Sequence, residues 1–186
     1  GYASDVVVDG NYAYLSSYVD APCNLHVLDI SNPAHPVRVG SLKTSGSFRD
    51  IAFDKPNLYV ADEWGLRIIS LKDPTAPTQI GFIRLNQNQW DTVGIEVSGK
   101  LAYVADHADG MKIVDVSDPT SPRLVGVYNS PGAVLDVAVE DERAYVSDAF
   151  GGLRIVDVSC PKNPSEIGWE HSTFVNAVWP AHLPRK

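Results

Sequence analysis

The chain has 186 residues, a formal net charge of −8, and an ordinary globular balance of 44% hydrophobic and 20% charged residues. That negative balance excludes a nucleic-acid or anionic-membrane surface, either of which would need clustered Lys and Arg against phosphate. No stretch approaches the roughly 18 consecutive apolar residues of a membrane helix.

Read from the N-terminus, apolar runs at 4–8, 12–15 and 25–30 are followed by Pro33 and Pro36 and a short run ending in Gly40. The pattern then returns three times. A second unit has runs at 49–53, 58–60 and 66–71, then Pro74, Pro77 and Gly81. A third has 93–97, 101–104 and 111–116, then Pro119, Pro122 and Gly126. A fourth has 135–139, 144–146 and 153–158, then Pro161, Pro164 and Gly168. Tyr14, Tyr59, Tyr103 and Tyr145 recur at intervals of 45, 44 and 42 residues.

The runs are rich in Val, Ile, Leu and Tyr, last three to six residues and are bounded by turn residues. They read as strands, too short for helices that the prolines would in any case break. Proline fixes φ in the third turn, where Asn32, Asp73 or Asp118 can bond the turn backbone through its side chain. Four antiparallel strands in about 40–45 residues is the size of a propeller blade. One blade cannot bury both faces of its sheet alone, but radial stacking gives it neighbours on both sides. The predicted fold is an all-β propeller of four-stranded blades at about 3–46, 47–90, 91–132 and 133–171. Residues 173–179 repeat the first strand, with Asn176 in the place of Asp136.

The third strands read LHVLDIS, LRIISLK, MKIVDVS and LRIVDVS, each followed by NPAHP, DPTAP, DPTSP or CPKNP. Over roughly residues 3–179 this resembles the LVIVD repeats. The resemblance implies a propeller-like fold, commonly in exported or cell-surface proteins, with no defined reaction and no catalytic residues to transfer. The second copy departs from the pattern at Ser70-Leu71-Lys72, where the others carry Asp-x-Ser. The absence of an initial Met or leader at Gly1 is expected of a mature chain or an excised piece. Four and a quarter blades fit either part of a larger propeller or a ring closed by this chain alone or by two copies. An open end would expose apolar blade face and strand edges, which invites self-association.

In a propeller the second-to-third loops share one face of the disc with the starts of the first strands. That face should carry Asp5, Asp50 and Asp136 at the channel mouth. The loops at 62–65, 106–110 and 148–152 would lie beside them, making the face acidic with exposed aromatics. Converging carboxylates would suit Ca²⁺, which takes six to eight oxygens. Alternatively, each Asp accepts N–H bonds of its own turn. Trp64 and Phe150 occupy equivalent loop positions and are candidate partner or carbohydrate anchors. Trp90 and Trp169 are weighed with them, against inter-blade packing for all four. His107 and Asp109 are candidate ligand-binding residues, with a solvated loop histidine as the alternative. His26, His35, His171 and His182 share no spacing. Cys23 and Cys160 are too separated for a disulfide framework or a zinc cluster and fall on opposite faces. Glu96 is a lone channel-side carboxylate, lacking the partner that acid–base work needs.

No nucleophile elbow, phosphate-cradling loop or His-Glu-x-x-His is present. The leading expectation is a non-enzymatic module presenting loops to a protein or glycan partner, without cofactor. The rival is a metal-binding or enzymatic propeller with its site in the acidic mouth.

Overall fold

The computed structural model describes residues 2–18, 24–86 and 92–171. Among these it has sixteen strands and no helix. The first sheet is β1 (Tyr2–Asp9), β2 (Tyr12–Tyr18), β3 (Leu25–Asp29) and β4 (Val37–Leu42). The second is β5 (Phe48–Asp54), β6 (Asn57–Asp62), β7 (Gly65–Ser70) and β8 (Thr78–Arg84). The third is β9 (Gly94–Ser98), β10 (Leu101–Ala105), β11 (Met111–Asp115) and β12 (Arg123–Tyr128). The fourth is β13 (Val134–Glu140), β14 (Arg143–Asp148), β15 (Gly152–Asp157) and β16 (Ser165–Glu170). Each is a four-stranded antiparallel meander paired in chain order, which makes each a propeller blade. Residues 173–179, Trp90, Cys23 and His182 lie outside the described residues.

The first strands β1, β5, β9 and β13 follow one another as the inner strands. The cores lie between blades, not within them. Tyr14, Leu25 and Val27 of the first blade meet Ile51, Leu58, Val60 and Ile69 of the second. Tyr59, Leu66 and Ile68 meet Ile95, Val104 and Val114. Tyr103, Met111 and Ile113 meet Val137, Val146 and Val156. Alternation explains this: odd and even positions of each inner strand point to opposite blade faces, and both faces are covered. Leu58, Leu66 and Ile68 are fully buried, each contributing about 1.5–3 kcal/mol of transfer free energy.

The two end blades break the pattern. Val6 is 52% exposed, whereas its equivalents Ile51, Ile95 and Val137 are 3–5% exposed. Tyr145, Leu153 and Ile155 on the far side of the fourth blade are half-buried, whereas Tyr103, Met111 and Ile113 are buried. The described residues thus form an open arc and not a closed four-bladed ring.

The recurring glycine and proline signals meet at the junctions. Gly40, Gly81 and Gly126 pair with Val27, Ile68 and Ile113 beside a bulge between the third and fourth strands. A Cβ there would lie 2.5 Å from Pro74 O, 2.1 Å from Pro119 O or 1.8 Å from Pro161 O, each in the next blade's turn. Glycine is required because a neighbour's backbone occupies the side-chain space. The turns are braced as their residues predict. Thr75 N and Thr120 N donate to Asp73 and Asp118 Oδ1 at 2.9 and 3.0 Å. Cys160 keeps the backbone bond, Asn163 N to Cys160 O at 2.9 Å. Before the turn, Asp29, Asp115 and Asp157 accept from the N–H two residues on at 2.8–2.9 Å. In the divergent second copy Ser70 Oγ takes that place at 3.5 Å, a weaker version of the same bond.

Candidate functional site

Asp5, Asp50 and Asp136 are brought together where the inner strands begin. A shift of register at this point in β1, β5 and β13 turns each aspartate toward its neighbours. The third blade has Gly94 here and no such shift in the β9–β10 pairing. The carboxylates stitch adjacent blades: Asp5 Oδ2 accepts from Ile51 N at 3.3 Å, and Asp50 Oδ2 from Ile95 N at 2.8 Å. Asp50 and Asp136 also accept from the N–H of the next residue, at 3.0 and 2.9 Å. Burial, then the charge of Asp5, pushes the Asp50 carboxyl up to about 8. Asp50 hydrogen-bonds Asp5, and this environment favours a proton held between the two carboxyls. Among the described residues no three His, Cys, Asp or Glu side chains are grouped as metal ligands would be.

The expected acidic loop face is corrected by burial. Asp62 and Asp148, which end second strands, and Asp106, which directly follows one, are 0% exposed. Each is paired with a cation on the third strand of its own blade. Arg67 Nε binds Asp62, Lys112 Nζ lies 2.5 Å from Asp106 Oδ2, and Arg154 Nε lies 3.8 Å from Asp148 Oδ2. The other lone pairs lock the loops. Asp62 Oδ1 accepts from Trp64 N and Gly65 N at 2.8 and 3.0 Å, and Asp148 Oδ1 from Phe150 N and Gly151 N at 3.2 and 2.9 Å. The same groups pin the inter-blade links. Thr92 Oγ1 and Asn86 Nδ2 donate to Asp106 at 2.9 Å, Gly132 N donates to Asp148 at 2.9 Å, and Ser130 Oγ also binds Asp148.

Burial lifts the Asp62 carboxyl above the usual range against the pull of Arg67. At Asp148 burial pushes the same way, but bonds from Ser130, Gly132, Gly151 and Phe150 outweigh it and hold the carboxyl low. The first blade has Ser17 and His26 at these positions. There Asn24 ties the link, through Nδ2 to Gly46 O at 2.6 Å and Oδ1 from Thr44 N at 2.8 Å. Sequence reasoning missed these hubs. Their trace was the basic residue directly after the leading Leu or Met of three third-strand motifs, a cation in an otherwise apolar run.

The equivalent loop aromatics have different surroundings. Trp64 is half-buried beneath the Arg84 guanidinium, 4.3 Å above its ring. Phe150 is 75% exposed, and His171 stands where the second blade has Arg84. His171 instead meets Trp169 edge-on at 6.2 Å. Trp169 is 59% exposed and lies cross-strand from Arg154, whose guanidinium is 5.5 Å from its ring centre. His107 contributes backbone: with φ of 38° it turns its carbonyl to accept from Val134 N at 2.9 Å. Asp109 is exposed and 3.4 Å from Lys112 Nζ. These two therefore sit in a turn organised by Asp106 and Lys112.

Among curated proteins none matches the chain. Its fold is similar to those of two computationally designed proteins known from crystal structures. The Ika8 protein superposes with a TM-score of 0.72 at 11% identity over 94% of this chain and 51% of its own. The Ika4 protein superposes with a TM-score of 0.68 at 9% identity over 85% of this chain and 92% of its own. The chain thus spans about half the length of Ika8. The LVIVD repeat model matches residues 1–44, 91–130 and 131–169. It passes over the second blade, whose strands and junctions nevertheless repeat those of the others. With about two thirds of its length matched in this way, the chain belongs to the LVIVD-repeat family.

Proposed function

We propose that this propeller is a non-enzymatic binding and scaffolding module, exported or at a cell surface, whose blade ends take a protein or glycan partner. The observation that carries this reading is Phe150, 75% exposed on a turn held by two N–H bonds to buried Asp148. A rigid, exposed aromatic loses little conformational freedom on binding and offers a flat apolar face to a sugar ring or an apolar side chain. Trp169, at the same end of the blade, extends that face.

The test is a glycan array, with a panel of purified surface proteins, probed with the wild-type chain and with Phe150→Ala/Trp169→Ala. A ligand bound by wild type and lost at least tenfold in the variant, with an unshifted Tm, is expected. Equal binding by both chains would refute the reading.

A second reading draws on the proton shared at the mouth. A divalent cation could replace it between Asp5 and Asp50, near Asp136. In that case millimolar CaCl₂ raises Tm in wild type and not in Asp50→Asn. An unchanged wild-type Tm removes this reading.

A further inference from the structure

Among the described residues, three of the four repeat glycines have their side-chain space occupied by a neighbouring blade and one does not. A Cβ at Gly40, Gly81 or Gly126 would strike a proline-turn carbonyl of the following blade within 2.5 Å. Among the described residues, a Cβ at Gly168 would meet only Ile155, no closer than 3.8 Å. The counterpart is at the other end of the arc. The turns of the second, third and fourth blades, at Pro74, Pro119 and Pro161, are seated on glycines. The Pro33 turn of the first blade is seated on none of the described ones.

The apolar residues around the two features follow the same division. On the far face of the fourth blade, Tyr145, Leu153 and Ile155 are half-buried where the copies facing a neighbour are buried. On the near face of the first blade, Val6 is exposed and Leu15, Leu28 and Ile30 are half-buried. Their equivalents Val60, Val104 and Val146 are fully buried, as are Ile69, Val114 and Val156. Each end face is thus one half of a junction that the chain builds three times within itself.

We infer that the far face of the fourth blade, with Gly168 as its socket, takes the first-blade face of a second copy of this chain, the Pro33 turn seating over Gly168. The union is head to tail and continues the internal junctions by one more step. A heterologous contact of this kind closes into a ring or extends as a filament, depending on the rotation per step. The smallest product that repeats the junction is a pair of copies, and a two-copy assembly is the expected one. The inference does not depend on the aromatic surface around Phe150.

The test is sedimentation-velocity mass over a hundredfold concentration range. Wild type is expected to shift toward twice 20.2 kDa. A Cβ at Gly168 clears the described residues by 3.8 Å or more, so Gly168→Val is expected to stay folded, and to be monomeric because it fills the socket. Val6→Glu, which places a charge on the opposite face, is expected to do the same. An equimolar mixture of the two variants retains one intact junction, between the fourth blade of Val6→Glu and the first blade of Gly168→Val. It is expected to form a heterodimer that neither makes alone. A wild type that is monomeric throughout would overturn the inference and leave the socket to residues of the same polypeptide. So would a Gly168→Val chain that associates as wild type does, or a mixture that fails to restore association while both variants keep the wild-type far-ultraviolet spectrum.

Discussion

Alanine at Gly126 and alanine at Gly168 are the same change at the same repeat position, made against opposite surroundings. At Gly126 the new Cβ falls 1.8 Å from Pro161 O and 3.0 Å from Pro161 C. Relief to a tolerable separation of about 3 Å moves the turn of the fourth blade back by about 1.2 Å. That movement loosens the junction between Ile113 and Val156, both fully buried. Overpacking of this kind costs about 1–3 kcal/mol, and a backbone obstruction sets the cost at the upper end. The reduced entropy of the unfolded chain returns about 0.4–1 kcal/mol. The expected net loss is about 2 kcal/mol, or roughly 4–8 °C in Tm for a chain of this size. At Gly168 the nearest atom of the described residues is 3.8 Å away, so only the unfolded-state effect remains and the variant is neutral or slightly stabilised. The distances at Gly81 and Gly40, 2.1 and 2.5 Å, order the series as Gly126, Gly81, Gly40 and Gly168 from most to least damaging. The assay is urea unfolding followed by tryptophan fluorescence, at a concentration where sedimentation shows single copies. Gly126→Ala as stable as Gly168→Ala would refute the account of the junction.

Arg67→Leu is expected to cost about 3–5 kcal/mol in chemical denaturation, because it strands the buried Asp62 carboxylate; a loss below about 1 kcal/mol would show the pair to be dispensable. Asp50 holds its proton up to about pH 8 in the fold, whereas an unfolded aspartate releases it near pH 4. Between those values the native state binds more protons, so this group's contribution is present at low pH and fades as pH rises. Asp50→Asn, uncharged throughout, should therefore gain stability relative to wild type from pH 4 to pH 8; parallel Tm profiles would contradict the assignment. Phe150→Ala should change stability by less than about 0.5 kcal/mol, as an exposed site does. Trp64→Ala should cost about 1 kcal/mol through loss of the Arg84 stack, and equal effects in thermal melts would erase the distinction between the two loops.

The blades were legible because their signals are local and repeated. Short β-branched runs, prolines that fix φ and Asx side chains that brace turns act within a few residues of one another, and four copies reinforce each reading. The glycines were visible as punctuation, but their purpose was not. Gly126 is glycine because of Pro161, thirty-five residues later and in another blade. The aspartates at 62, 106 and 148 read as a solvent-facing acidic rim for a similar reason. Their partners Arg67, Lys112 and Arg154 lie near in sequence, but a charge near a charge does not reveal whether water surrounds both. Phe150 and Trp64 were equivalent in the repeat and became different only when Arg84 covered one of them.

Strand identity, turn type and blade count thus follow from the residues alone, because backbone preference and side-chain period are properties of short segments. Which carboxylates are buried, which aromatic meets solvent and which glycine lacks a neighbour depend on how blades stack. Stacking brings together groups about forty residues apart, and no short segment encodes that contact by itself.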